Sequence, residues 1–231
     1  MSKRGRKYLE AAAKIDPARL YNLREAVQLI KATVTTKFDP TVEVHARLGV
    51  DPRHADQQVR DVVVLPHGLG KTVRILVFAE GEDARLAREA GADIVADDEL
   101  IKKIQEGWTD FDVAIAVPQM MGKVGRLGRV LGPRGLMPNP KTDTVGPNIA
   151  KIIQEQKAGK LSFKNDATGN VHMIVGKASF EAKKLEDNLN MAVEAIRKVK
   201  PATSKGVYIK SCTVTSTMGP AIKLDAGAAV V

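Results

Sequence analysis

The sequence is poor in the residues that staple, ligate or stack. A single cysteine, Cys212, in 231 residues leaves no internal disulfide and no four-thiolate metal site, and a reducing compartment fits that usage best. The four histidines, His45, His54, His67 and His172, have neither HExxH spacing nor a neighbouring cysteine set, so each reads as a surface or loop residue and no zinc is expected. Aromatic residues make up only 4% of the chain. No stretch of 18 or more apolar residues is present, and the basic start, Met1-Ser2-Lys3-Arg4-Gly5-Arg6-Lys7, is not followed by the apolar core of a secretion signal, so no membrane association is expected.

What is present is a 44% hydrophobic chain with 19 Gly and 11 Pro, enough for one large or two modest ordered domains. The formal charge is +9, and it is unevenly placed. Residues 68–158 hold 13 basic and 13 acidic groups, whereas residues 1–67 and 159–231 hold 23 basic and 14 acidic ones. Within the neutral middle, residues 80–112 carry eleven acids against four bases, and residues 118–141 carry five bases and no acid. A basic excess favours a phosphate-bearing partner, because many cations release condensed counterions on binding; solubility is the plainer alternative.

Periodicity divides the chain in the same places. Residues 20–31 read as an amphipathic helix capped by Asn22, with Leu23, Ala26, Val27 and Ile30 on one stripe. Thr41 to Leu48 alternates as a strand whose core face is Val42, Val44, Ala46 and Leu48, and residues 62–65 form a second short strand. The middle then reads as repeated βα: strands at 73–79, 93–96 and 113–117, with helices at 82–90, 97–106 and 148–156. That pattern implies a parallel sheet covered on both faces. From Lys160 the chain reads as a hairpin, with strands 160–163 and 171–175 joined by Asn165-Asp166-Ala167-Thr168-Gly169-Asn170. A long helix follows over 180–198, with Phe180, Lys184, Leu185, Leu189, Ala192, Val193 and Ile196 as its stripe, and then a strand over 206–215. The simplest architecture is a discontinuous α+β domain (1–67 plus 159–231) carrying an inserted Rossmann-like three-layer α/β domain (68–158), with glycine-bearing crossings at 65–70 and 156–159 as a hinge.

Motifs for chemistry are scarce. Gly70-Lys71-Thr72 resembles the end of a phosphate loop, but Leu65 stands where the loop needs glycine, and a strand follows instead of a helix. Gly122, Gly125 and Gly128 recur every three residues, which is not GxGxxG; that spacing suits close approach of another backbone. Met120-Met121 fits either the surface or the core. Cys212 reads as a small buried hydrophobe, and Asp97, Asp98 and Glu99 as helix-start charges. No catalytic residue and no cofactor are expected. Two segments instead suit RNA. Thr35-Thr36-Lys37-Phe38 and Thr213-Val214-Thr215-Ser216-Thr217-Met218-Gly219-Pro220 offer hydroxyls, a cation and apolar side chains beside tight turns, although Phe38 taken alone reads as a core residue. In the Gly/Pro-rich passage 125–141, Arg126, Arg129, Arg134 and Lys141 are placed to project toward phosphates, the alternative being a loop packed on its own domain with a solvated basic fringe.

That passage, extended as Val124-Gly125-Arg126-Leu127-Gly128-Arg129-Val130-Leu131-Gly132-Pro133-Arg134-Gly135-Leu136-Met137-Pro138-Asn139-Pro140-Lys141, closely resembles the signature of the bacterial ribosomal protein L-one family. Similarity continues through Lys37-Phe38, Lys157-Ala158-Gly159-Lys160, Lys205-Gly206 and Ser216-Thr217-Met218-Gly219-Pro220, and covers essentially the whole chain. The resemblance implies a nonenzymatic constituent of the large ribosomal subunit in the cytoplasm, monomeric there, that binds ribosomal RNA of the mobile stalk. It further implies help in releasing deacylated transfer RNA from the exit site and repression of translation of its own messenger RNA. By motif, Lys37, Phe38, Thr215, Ser216, Thr217, Met218 and Gly219 resemble the family's RNA contacts, with Arg126, Arg129, Arg134 and Lys141 auxiliary. Two positions depart from the pattern: Asp143 stands where Gly is usual, and Ala167 where Lys is common. The rival readings are an enzyme that uses the α/β insert for a nucleotide or sugar phosphate, and a regulator of messenger RNA that does not reside on ribosomes.

Overall fold

The computed structural model describes residues 4–225 and divides the chain into two compact units, residues 1–70 with 161–231, and residues 71–160. These boundaries fall three and two residues beyond those read from charge. The first three residues of the basic start lie outside the described residues.

In the first unit, α1 (Arg6–Ala12) precedes α2 (Leu23–Thr33), a short helix that the basic composition of the start had concealed. Asn22 caps α2 by accepting from the Glu25 amide at 2.8 Å, and Ala26, Val27 and Ile30 are buried. The strands β1 (Thr41–Leu48), β7 (Asn170–Lys177), β8 (Ile209–Ser216) and β9 (Ile222–Leu224) form one antiparallel sheet in the order β7-β1-β8-β9. β1 buries Val42, Val44, Ala46 and Leu48 and turns Glu43, His45 and Arg47 outward, which is the period-two pattern of a sheet with one covered face. The cover is α2 and α8 (Ala182–Lys198), which pack on each other and on the sheet.

The expected hairpin is absent. β6 (Lys160–Lys164) pairs with β2 (Arg60–Val64) in a separate two-stranded sheet, and only the isolated bridge Asn165↔Val171 joins it to β7, whose partner is β1. The connecting loop does use positive φ at Gly169, and Asp166 is its hub, accepting from the amides of Thr168 and Asn170 at 2.8 Å each. The stripe of α8 also needs correction. Lys184 is exposed, and the apolar face instead includes Asn188, fully buried. Its Oδ1 accepts from the His67 amide (3.1 Å) and its Nδ2 donates to the carbonyls of Gly68 (3.0 Å) and Val175 (2.8 Å), so a polar side chain holds the end of the first chain segment against the helix.

The second unit has a parallel sheet in the order β4 (Ile94–Ala96), β3 (Ile75–Phe78), β5 (Val113–Ala116). β3 is buried at all four positions, as a central parallel strand should be. The chain leaves β3 toward β4 through α3 (Gly81–Glu89) and returns past it to β5 through α4 (Asp98–Gln105). Right-handed crossovers in opposite directions put these two helices on opposite faces. α3 accordingly packs on α7 (Ile149–Lys157), and α4 on the turn at residues 125–127. Residues 118–131 wind as successive short helical turns that include α5 (Met121–Val124) and α6 (Gly128–Leu131). Val124, Leu127 and Leu131 point inward, and Met120 joins the core while Met121 packs on it, half-buried. A Cβ at Gly122, Gly125 or Gly128 would meet nothing within 4 Å, so close backbone packing does not explain this spacing.

Candidate nucleic-acid interface

At one end of the main sheet, strand register joins the two segments that suit RNA. β1 and β8 pair with Val42 opposite Ser216, and the ladder continues one residue further. There the Thr217 amide donates to the Thr41 carbonyl (2.9 Å), the Thr41 amide donates to Thr217 Oγ1 (3.2 Å), and that hydroxyl donates to the Thr41 carbonyl (3.3 Å). Lys177, opposite Thr41 on β7, donates to Thr41 Oγ1 at 2.9 Å. Three strand ends therefore meet at Thr41, three residues after Phe38.

The chain turns immediately after β8. The Gly219 amide donates to the Ser216 carbonyl at 2.7 Å, which closes a four-residue turn with Met218 in its third position. Met218 adopts φ 66 there, a left-handed conformation, and is one of only two non-glycine residues among those described to do so. A Cβ at Gly219 would lie 2.3 Å from Ser216 Oγ and 3.1 Å from the Ser216 carbonyl oxygen, so any larger residue would displace the buried hydroxyl. Thr215 Oγ1 closes the turn from beneath, donating to the carbonyls of Ser216 (3.1 Å) and Gly219 (3.3 Å). Such a turn holds the Met218 side chain in the open, 75% exposed.

Residues 36–39 are fixed on both sides. Thr36 Oγ1 donates to the Phe38 carbonyl (2.9 Å), and the Asp39 carboxylate accepts from the Ser179 amide (3.0 Å) and hydroxyl (2.7 Å) just beyond β7. Between these anchors, Lys37 is exposed and makes no ion pair, and Phe38 is 57% exposed. The reading of Phe38 as a core side chain is thus overturned. The corner presents a ring, a thioether, a free ammonium group and threonine hydroxyls on a rigid frame, which suits nucleotide faces, riboses and phosphates. Thr41, Lys177 and the Asp39–Ser179 link were missed by sequence reasoning, because cross-strand register brings them in and no local motif marks them.

The auxiliary cations belong to the other unit. Arg126, Arg129 and Lys141 are exposed, while Arg134 is committed to its own unit through Thr109 Oγ1 and the Gly107 carbonyl (3.3 Å). Asp143 adopts φ 49, a left-handed conformation that glycine reaches without strain, and its carboxylate accepts from Lys160 at 3.2 Å. Lys160 Nζ also donates to Glu155 at 2.7 Å, and these two carboxylates raise its pKa against the lowering effect of burial.

Cys212 is buried, and desolvation pushes its thiol up to about 11. His45 and His172 face each other across β1 and β7 with Nδ1 atoms 2.8 Å apart, and partial burial together with the neighbouring ring lowers the His45 pKa. Among the described residues, no group of three or more His, Cys, Asp or Glu side chains could hold a metal ion, and no helix is long and apolar enough to cross a membrane.

Fold and corner present a basic scaffold whose exposed ring, thioether, ammonium group and hydroxyls have the chemistry that suits nucleic acid. The family model of the ribosomal protein L1p/L10e family matches residues 30–220, and the chain belongs to that family. Its members are structural ribosomal proteins that bind ribosomal RNA, not enzymes, and membership assigns the chain to the large subunit in the cytoplasm.

Proposed function

We propose that the discontinuous domain grips ribosomal RNA of the mobile large-subunit stalk through Lys37, Phe38, Thr215, Ser216, Thr217, Met218 and Gly219. The observation that carries this reading is the joining of the two segments at Thr41–Thr217, with Phe38 and Met218 left exposed beside a free Lys37. Phosphate and ribose contacts position the RNA, and the exposed ring and thioether pack on unstacked nucleotides. The intervening residues 68–158 act as an inserted Rossmann-like domain that contributes weaker RNA contacts through Arg126, Arg129 and Lys141. The glycine-bearing crossings let it move with the stalk as deacylated transfer RNA leaves the exit site. The same corner, presented with a similarly folded messenger RNA, represses translation of the chain's own operon.

The test is binding of the full chain to a stalk ribosomal RNA fragment. Affinity should fall steeply with salt, and Phe38→Ala should weaken it roughly 10-fold while leaving the folded state intact, because the ring is more than half exposed. Unchanged affinity in Phe38→Ala and Met218→Ala together would sink the site. Replacing residues 68–158 by a short join should leave a folded RNA binder. Crosslinking in cells, with sequencing of the attached RNA, separates stalk RNA, transfer RNA and own-operon messenger RNA.

A further inference from the structure

Two cations face each other with no ion-pair partner at the opposite end of the first unit's main sheet from Thr217. The Asn165 amide donates to the Val59 carbonyl at 3.0 Å, and the Val59 amide donates to Asn165 Oδ1 at 2.7 Å. Val59 directly precedes β2 and Asn165 directly follows β6, so the two strands run in opposite directions, and the next pair inward is Arg60 beside Lys164. Both are exposed, on the side away from buried Val63 and Phe163, and neither makes a salt bridge or side-chain hydrogen bond. Like charges directly opposite on an antiparallel pair repel, whereas an opposite charge there would add stability.

The pair borders a polar cleft lined also by Pro52, Gln58, Val59, Asn165, Asp166 and Ala167. The one carboxylate in that lining, Asp166, stays ionised, because the amides and side chains of Thr168 and Asn170 donate to it and hold its pKa well below the carboxylate range; it pairs with neither cation, and the three charges leave the cleft net positive. Asp61, the neighbour of Arg60, lies on the alternate side of β2.

We infer that Arg60 and Lys164 form a second phosphate-binding cleft that takes a phosphodiester group of the RNA held at the Thr217 corner. The inference rests on the proposed RNA grip. Leu48, at the far end of β1 from Thr41, donates its amide to Gly169 in the same loop as Asp166, so the cleft and the corner are separated by about 23 Å of strand. Two cation sites that far apart fix the direction in which a folded RNA lies along the domain, which a single corner does not.

The experiment compares the full wild-type chain with Arg60→Gln/Lys164→Gln, measuring affinity for the stalk ribosomal RNA fragment across a salt series, with inorganic phosphate alone as a second probe followed by the amide shifts of residues 58–60 and 164–167. The double variant should bind roughly 10- to 30-fold more weakly at 0.15 M salt, with the slope of log K against log salt reduced by about 1.5. Its melting temperature should be equal or higher, because a repulsion has been removed. Thr217→Ala should add its own loss independently. Unchanged affinity and slope in the double variant, with Thr217→Ala still impaired, would overturn the cleft and leave the corner standing. A lower melting temperature would overturn the premise that the pair is unbalanced. Shifts with phosphate alone and no change in RNA affinity would assign the cleft to free anions and overturn its role in RNA. Wild-type chain that fails to bind the RNA at all would instead sink the grip itself.

Discussion

Replacing Met218 by glycine separates what this residue does for folding from what it does for RNA. Its backbone sits at φ 66, and a side chain in the left-handed region costs about 1–2 kcal/mol that glycine does not pay. Against this, glycine makes the unfolded chain freer by about 0.4–1 kcal/mol. The side chain is 75% exposed, so its removal gives up about 0.5 kcal/mol of burial in the free protein. These contributions nearly cancel, and Met218→Gly should leave stability within about 1 kcal/mol of wild type, a shift of at most about 4 °C in a chain of this size. Met218→Ala keeps the unfavourable backbone and should be about 1 kcal/mol less stable than the glycine variant. On RNA the two should behave alike. Covering the exposed three-quarters of a methionine is worth about 1–2 kcal/mol, so both should bind stalk ribosomal RNA roughly 5- to 30-fold more weakly. The assays are urea unfolding of the free chain and RNA titration at fixed salt. A loss of 2 kcal/mol or more in Met218→Gly would show that the side chain packs in the free protein, and unchanged RNA affinity would refute its role at the corner.

The remaining predictions concern sites where the fold carries an evident cost or lock. Asp143→Gly and Asp143→Ala both remove the carboxylate from Lys160, so the alanine variant should be the less stable by about 1 kcal/mol, the cost of a side chain at φ 49; equal denaturation midpoints would contradict the backbone argument. Asn188→Ala leaves the His67 amide and the Gly68 and Val175 carbonyls without a buried partner and should cost about 2–4 kcal/mol in urea unfolding; a neutral result would mean that water replaces the amide. The Tyr208 hydroxyl is buried without a partner, so Tyr208→Phe should raise stability by about 1 kcal/mol. Burial also holds the Tyr208 phenol up to about 12 and the Cys212 thiol up to about 11, so the folded state keeps protons that the unfolded chain loses near its ordinary values. Stability should therefore be complete below about pH 8 and decline as pH rises through 11–12, with a shallower decline in Tyr208→Phe followed by alkaline unfolding.

Much of the architecture was legible because local pattern and burial agree. The alternation from Thr41 to Leu48 appears unchanged as the burial of β1, and Asn22 makes the expected cap contact with the third residue beyond, while the Asp97 and Asn148 caps emerge only in the structure. Pairing between distant segments was not legible. β6 and β7 look like a hairpin because a turn-rich loop joins them, yet each strand finds a better partner in the first chain segment, and only tertiary register decides between those alternatives. The corner shows both limits at once. Hydroxyls, lysine, ring and thioether could be listed from the chain as groups suited to RNA, but their meeting at Thr41 depends on β1–β8 pairing across more than 170 residues. Exposure of Phe38 was equally hidden, since a lone phenylalanine carries no sign of which side its backbone anchors will turn it toward. The glycines at 122, 125 and 128 misled in the other direction. Their spacing suggested contact, and the short helical turns point them into open space.

The central claim is that stalk ribosomal RNA lies on the corner where residues 36–41 meet 215–219. Ultraviolet crosslinking of intact large subunits, with mass spectrometry of the peptides left joined to nucleotides, tests it most directly. The account predicts crosslinked peptides containing Phe38 and Met218, both attached to stalk RNA. Crosslinks confined to residues 126–141, or none to stalk RNA from either corner segment, would contradict it.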